Sequence, residues 1–224
     1  MLTRRNLLAS LLSLPVITTS LAAENDWEAV LRGITANTSD PIFLGVNPLP
    51  PDDPHWAMAI EYLETSPTYG RPYDVAKHLD TFLPTVLREE WDSPFANPLI
   101  VLLFAATGTK PAGDTTAWCA AFMSWCIERV GLSSAHSAAS KAYRSFGPAL
   151  WEKGGAFPTD LPAGSIAVFR SLSNPSHGHV AFYLGADLSS EKDISVLGGN
   201  QSDTIGVSRY RLDGDLELHS IRQG

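Results

Sequence analysis

Ala117-Trp118-Cys119-Ala120-Ala121-Phe122 predicts the buried start of a helix, and the rest of the chain can be interpreted around it. We expect this helix to end at Gly131, because glycine readily adopts the left-handed conformation that closes a helix. Thr115 or Thr116 is expected to cap its first turn. A cysteine in that turn lies at the positive end of the helix dipole, which favours the thiolate. Cys119 is therefore a candidate nucleophile, and a small buried hydrophobic residue is the equally weighted alternative from this stretch alone.

The composition fits a globular chain with one hydrophobic core. The 224 residues are 44% hydrophobic, which provides enough apolar sequence for such a core. The formal net charge is −8. An acidic chain binds poorly to phosphate backbones and anionic lipid surfaces, so the charge argues against nucleic acid and membranes as partners.

Residues 1–23 resemble an export signal. Arg4-Arg5 supplies a basic start, Leu7 to Leu21 is a short apolar run, and Ser20-Leu21-Ala22-Ala23 offers small residues for cleavage. The paired arginines resemble those of a twin-arginine signal, and a general secretory signal is the alternative. An uncleaved anchor is disfavoured because the apolar run is short and contains Pro15. We therefore expect a periplasmic or secreted protein without stable membrane anchoring.

The two cysteines, Cys119 and Cys126, are not expected to form a disulfide. They lie seven residues apart on one predicted helix, which separates their Cα atoms by roughly 10 Å. A disulfide needs about 4.4–6.8 Å. A zinc site that combined them with His177 and His179 is disfavoured too, since cysteines within one helix do not form a zinc knuckle. We expect neither a metal nor another cofactor.

The first part of the chain is expected to be an N-terminal helical segment, residues 24–96, to which the sequence assigns no chemistry. Its predicted helices are Trp27–Arg32, His55–Leu63 and Tyr73–Trp91, the last interrupted at Pro84. Leu99–Ala106, after Asn97-Pro98, is apolar on all sides and predicts a buried helix. A further helix is expected at 138–146.

After Gly155 the pattern changes to short strands joined by Gly, Asn, Asp and Ser, which predicts an antiparallel sheet. The four predicted strands are Ser165–Phe169, His179–Gly185, Ile194–Leu197 and Ile205–Tyr210. Helices followed by strands define an α+β domain, which we place at residues 97–224.

A cysteine nucleophile needs a base, and the base needs a third group that orients its ring. His179 is the best candidate base because it opens an apolar strand after a flexible loop, and His177 is its main rival. Asn200, in Leu197-Gly198-Gly199-Asn200-Gln201, follows the next strand and can accept a hydrogen bond from one imidazole nitrogen. An exposed loop histidine and a simple Gly-Gly-Asn turn are the alternatives.

Four stretches together resemble the exported papain-fold cysteine hydrolases of the NlpC and CHAP kind. They are Trp118–Phe122, Pro162–Phe169, Gly178–Phe182 and Leu197–Gln201. The resemblance covers roughly Asn97 to Tyr210 and is most specific for a subfamily with Trp-Cys-Ala-Ala-Phe, Gly-His-Val and Gly-Gly-Asn-Gln motifs. Two departures are Ser165, where relatives carry Asp, and Gly198, where some carry Glu.

The resemblance implies a papain-like fold in which helices pack on a small antiparallel sheet, preceded here by the extra N-terminal segment. It implies Cys119 as nucleophile, His179 as base and Asn200 as orienting group. We also expect Trp118 and Gln201, which flank these residues, to bind substrate. The implied activity is hydrolysis of amide bonds in peptidoglycan or its stem peptides, by an endopeptidase or amidase. Acyl transfer by the same triad and a non-catalytic wall-binding module are the alternatives.

Overall fold

The computed structural model of the chain describes Trp27 and residues 49–92, 94–108, 114–189, 192–212 and 214–224. The proposed export signal and most of the predicted helix Trp27–Arg32 lie outside these residues. Among the described residues, no helix is both long enough and apolar enough to cross a membrane.

Prolines mark the starts of three helices, because the first helical position has no acceptor for an N–H. These helices are α1 (Pro54–Thr65), α2 (Pro72–Phe82) and α4 (Pro98–Leu103). The side chains of Asp53 and Asn97 cap α1 and α4 by accepting backbone N–H groups at 2.9 Å. The predicted break at Pro84 is confirmed, since a separate short helix, α3 (Thr85–Arg88), follows it.

Helix α4 continues into a 3-10 turn, Phe104–Ala106, and all six residues of α4 are buried, as its apolar sequence predicts. The cysteine helix, α5, spans Cys119–Arg129, and Gly131 follows it with a left-handed φ of 78°. The predicted threonine cap is wrong, because Trp118 is the N-cap residue and no side chain caps the helix. The segment predicted as a helix at 138–146 is a 3-10 helix, Ser140–Ser145.

The strands form one antiparallel sheet in the order β1-β6-β2-β3-β4-β5. The strands are β1 (Ala149–Glu152), β2 (Ile166–Ser171), β3 (Gly178–Asp187), β4 (Asp193–Gly198), β5 (Gly206–Arg211) and β6 (Leu216–Arg222). All four predicted strands are present, and β1 and β6 are additional. The predicted α+β class is confirmed.

The two faces of the sheet bury different sets of side chains. On one face Val180 and Phe182 join the main core with α5 and the helices that precede it. On the other face Ala181 and Tyr183 belong to a smaller aromatic cluster. The sheet is strongly curled, since Tyr210 of β5 contacts Phe169 of β2, three strands away in the sheet order. This curl brings β5 toward the start of β3, where Tyr210 lies beside His179.

Candidate active site

Cys119 occupies the first position of α5 and is 3% exposed. Burial raises the pKa of its thiol to about 11, while backbone N–H groups, that of Val180 foremost, act in the opposite direction. The expectation that the helix dipole makes Cys119 a thiolate is therefore wrong for this conformation, because desolvation of the charge outweighs the dipole. Both cysteines are free, in agreement with the predicted absence of a disulfide.

His179 is the second residue of β3 and lies close to this thiol. The N–H of Val180, its neighbour in the chain, interacts with the Cys119 sulfur, so β3 and the start of α5 meet at this point. His179 is 4% exposed, whereas its rival His177 is exposed in the preceding loop. Gly178 permits the close approach of β2 here, because a Cβ atom at this position would lie 2.3 Å from the Phe169 carbonyl oxygen.

The residue that contacts the His179 ring is Gln201, at 3.4 Å between Nε2 and the amide Oε1. The Gln201 amide nitrogen donates to the carbonyl oxygens of Gly206 and Val196. Because the nitrogen is used in this way, Oε1 must be the atom that faces the imidazole, and it can only accept. His179 therefore carries its proton on Nε2, which leaves Nδ1 as an acceptor.

Asn200 has a different position from the one predicted. Its backbone is left-handed, with a φ of 56°, so the strand alternation of β4 stops there. Within the described part of the chain, no hydrogen bond joins Asn200 to His179. The turn at Asn200 reverses the chain and directs the next side chain, Gln201, back toward β3, where it makes the contact assigned to Asn200 from the sequence.

The other two predicted substrate-binding residues are also part of the interior. Trp118 is fully buried, and a Cβ atom at Gly199 would lie 2.4 Å from its ring. Gln201 is 2% exposed and bonded to His179. In this conformation both side chains are buried, and their role in substrate binding stays a prediction.

The imidazole of His179 lies among aromatic rings on the smaller core face. Its centroid is 5.3 Å from that of Tyr210 and 6.1 Å from that of Phe169. Burial lowers the pKa of His179 to about 4, opposed by the hydrogen bond that the ring donates to Gln201. At neutral pH the site therefore holds a thiol and a neutral imidazole, and not a thiolate–imidazolium pair.

Asp114 ties the segment that leads to Cys119 to the helices before it. This buried carboxylate accepts the backbone N–H groups of Trp91, at 3.2 Å, and Asn97, at 2.7 Å. Neither Asp114 nor Tyr210 is assigned a role from the sequence alone. An aspartate in a turn just before the nucleophile is a detectable signal for Asp114, whereas the position of Tyr210 depends on the curl of the sheet.

The CHAP domain family model matches residues 111–200. This range contains Cys119 and His179 and ends at Asn200, so Gln201, β5 and β6 lie beyond it. Helices packed on an antiparallel sheet are consistent with a papain-like domain of this kind. A search of curated proteins and a search of solved structures each return no match.

Proposed function

We propose that the protein is a cysteine hydrolase that cleaves amide bonds in peptidoglycan peptides through an acyl-enzyme. The substrate class comes from the CHAP family match at residues 111–200. The observation that carries the proposed chemistry is the arrangement of three groups in the site. Cys119 begins a helix beside β3, His179 begins β3, and Gln201 holds the imidazole with Nδ1 left as an acceptor.

In the proposed reaction the Cys119 sulfur attacks the scissile carbonyl carbon while its proton passes to Nδ1 of His179. Proton transfer accompanies attack because both groups are neutral at rest. The negative charge that forms on the carbonyl oxygen would be stabilised by the free backbone N–H of Cys119 in the first turn of α5.

His179 then donates its proton to the leaving amine, and the amine departs as the C–N bond breaks. Water next attacks the thioester while His179 takes one of its protons, and the proton returns to the sulfur as the acid is released. In this scheme Gln201 takes the orienting role that the sequence suggested for Asn200, and it does so as a neutral hydrogen-bond acceptor. The export signal proposed at residues 1–23 would deliver the enzyme to the cell wall.

The test is digestion of purified peptidoglycan with the full chain, beside Cys119→Ala and Cys126→Ala. Cys126 is a matched control because it is a buried free cysteine in the same helix, about two turns away from Cys119. We expect the wild-type chain and Cys126→Ala to release the same peptides, identified by mass, and Cys119→Ala to release none. Equal release by Cys119→Ala would contradict the mechanism. Wall binding without release by any variant would favour the binding-module alternative.

A further inference from the structure

Tyr210 lies beside the imidazole of His179, although it is 31 residues further along the chain. On β5 the side chains alternate between the two faces, with Val207, Arg209 and Arg211 exposed. Tyr210 is directed to the inner face, where it packs against the smaller core cluster. The curl of the sheet then places its ring 4.8 Å from Phe169 and 5.3 Å from His179, between centroids.

The hydrogen bond to Gln201 does not suffice to hold the imidazole. Its length of 3.4 Å exceeds the range of about 2.7–3.2 Å for well-formed N–H···O bonds. Rotation of the ring about its bond to Cβ would break this contact, because it would place Cε1 where Nε2 lies and Cδ2 where Nδ1 lies. Nε2 would then no longer be held as the protonated nitrogen. The planes of Tyr210 and His179 are inclined by only 33°, so the tyrosine ring lies along one side of the imidazole and opposes that rotation.

The tyrosine ring is held by packing. Within the described residues, the Tyr210 hydroxyl makes no hydrogen bond. Burial raises the pKa of Tyr210 to about 12, and the negative charge that Cys119 can carry acts in the same direction. The phenol is therefore neutral at neutral pH.

We propose that Tyr210 is a positioning residue whose ring keeps His179 oriented with Nε2 toward Gln201 and Nδ1 toward Cys119. The inference rests on the role of base proposed for His179. The ring also contributes when the imidazole receives a proton, since an aromatic face stabilises an adjacent cation. Two arginines near this end of β3 have partners other than the imidazole: Arg170 pairs with Glu217, and Arg144 donates to the carbonyl oxygens of Pro175 and His177.

The experiment uses full-length protein with ¹⁵N-labelled histidine and measures which His179 nitrogen is protonated at neutral pH. We compare the wild-type chain with Tyr210→Phe, Tyr210→Leu and Tyr183→Leu. Tyr183 is a matched control because it lies on the same face of the sheet but contacts Phe157 instead of His179. Tyr210→Met replaces Tyr210→Leu if the latter does not fold, since methionine adapts to irregular gaps.

We expect a single Nε2-protonated form in the wild-type chain, Tyr210→Phe and Tyr183→Leu, and a mixture of the two tautomers in Tyr210→Leu. In peptide release, Tyr210→Leu should lower kcat on the order of tenfold to a hundredfold with little change in KM. A single tautomer in Tyr210→Leu, or an equal loss in Tyr210→Phe, would overturn the inference. Because tautomers are observed without substrate, a wild-type chain that cleaves nothing would count against the proposed function alone.

Discussion

Asn200 and Gln201 are adjacent amides, and the backbone between them decides which one contacts His179. A left-handed residue at Asn200 ends the alternation of β4, so the next side chain turns back to the imidazole. The side-chain amide nitrogen of Gln201 also donates hydrogen bonds to the carbonyl oxygens of Val196 and Gly206, which hold the side chain in place. The orienting role therefore follows from the geometry of the turn and not from the residue type.

The variants Gln201→Ala and Asn200→Gly test which of the two amides orients the imidazole. We expect Gln201→Ala to lower kcat on the order of tenfold to a hundredfold, because the imidazole loses the amide that it contacts among the described residues. Asn200→Gly should keep near wild-type activity, since glycine adopts a φ of 56° without strain. Peptide release under saturating substrate measures both. The opposite order of losses would restore Asn200 to the role that the sequence suggested.

At the residue scale the sequence identifies candidate residues but not the contacts that they make. Cys119 and His179 can be found because a helix start and a strand start place reactive side chains at element ends. The state of the thiol could not be predicted, since the dipole and desolvation act in opposite directions and only packing decides between them. Tyr210 could not be found because its partner lies two strands away in the sheet order.

At the element scale, the contact between α5 and the loop after β4 aligns the site. The backbone at Gly199 lies directly against Trp118 and Phe122, which leaves no room for a side chain. The sequence shows the glycine pair but not this contact, and so the pair could equally indicate an ordinary turn. β1 gives no clear strand pattern because it has only four residues with little burial, whereas the alternation Leu216-Glu217-Leu218-His219 in β6 is a strand signal that the sequence does contain.

Gly199→Ala should destabilise the fold by about 1–3 kcal/mol, because a Cβ atom at 2.4 Å from the Trp118 ring forces one element to move. Activity should fall as well, since this loop carries Gln201. Gly185→Ala is the matched control: it lies in β3, and a Cβ atom there would have nothing within 4 Å. Denaturant unfolding measures both variants, and equal stability for the two would show that the contact is not tight in solution.

At the scale of the whole molecule, the helices before residue 97 share their core with the proposed active-site domain. Trp56 and Leu63 of α1 and Leu79 of α2 belong to the same buried cluster as Phe122 of α5 and Phe182 of β3. The predicted boundary at residue 96 therefore divides the sequence but not the core. Helical periodicity located α1 and α2, whereas their packing partners are distant in the chain and leave no local pattern.

A shared core predicts that damage to the early helices unfolds the active site with them. Leu79→Ala removes a fully buried side chain and should lower the free energy of unfolding by about 2–5 kcal/mol. Phe82→Ala is the control on the same helix: this side chain is 60% exposed, so its removal should lower the free energy of unfolding far less. Unfolding in denaturant can be followed by tryptophan fluorescence and by the reactivity of the buried thiols. We expect both signals to shift together to lower denaturant in Leu79→Ala, because one core unfolds as one unit. If fluorescence changed at a lower denaturant concentration than the one at which the thiols become reactive, the N-terminal helices would instead be a separate folding unit.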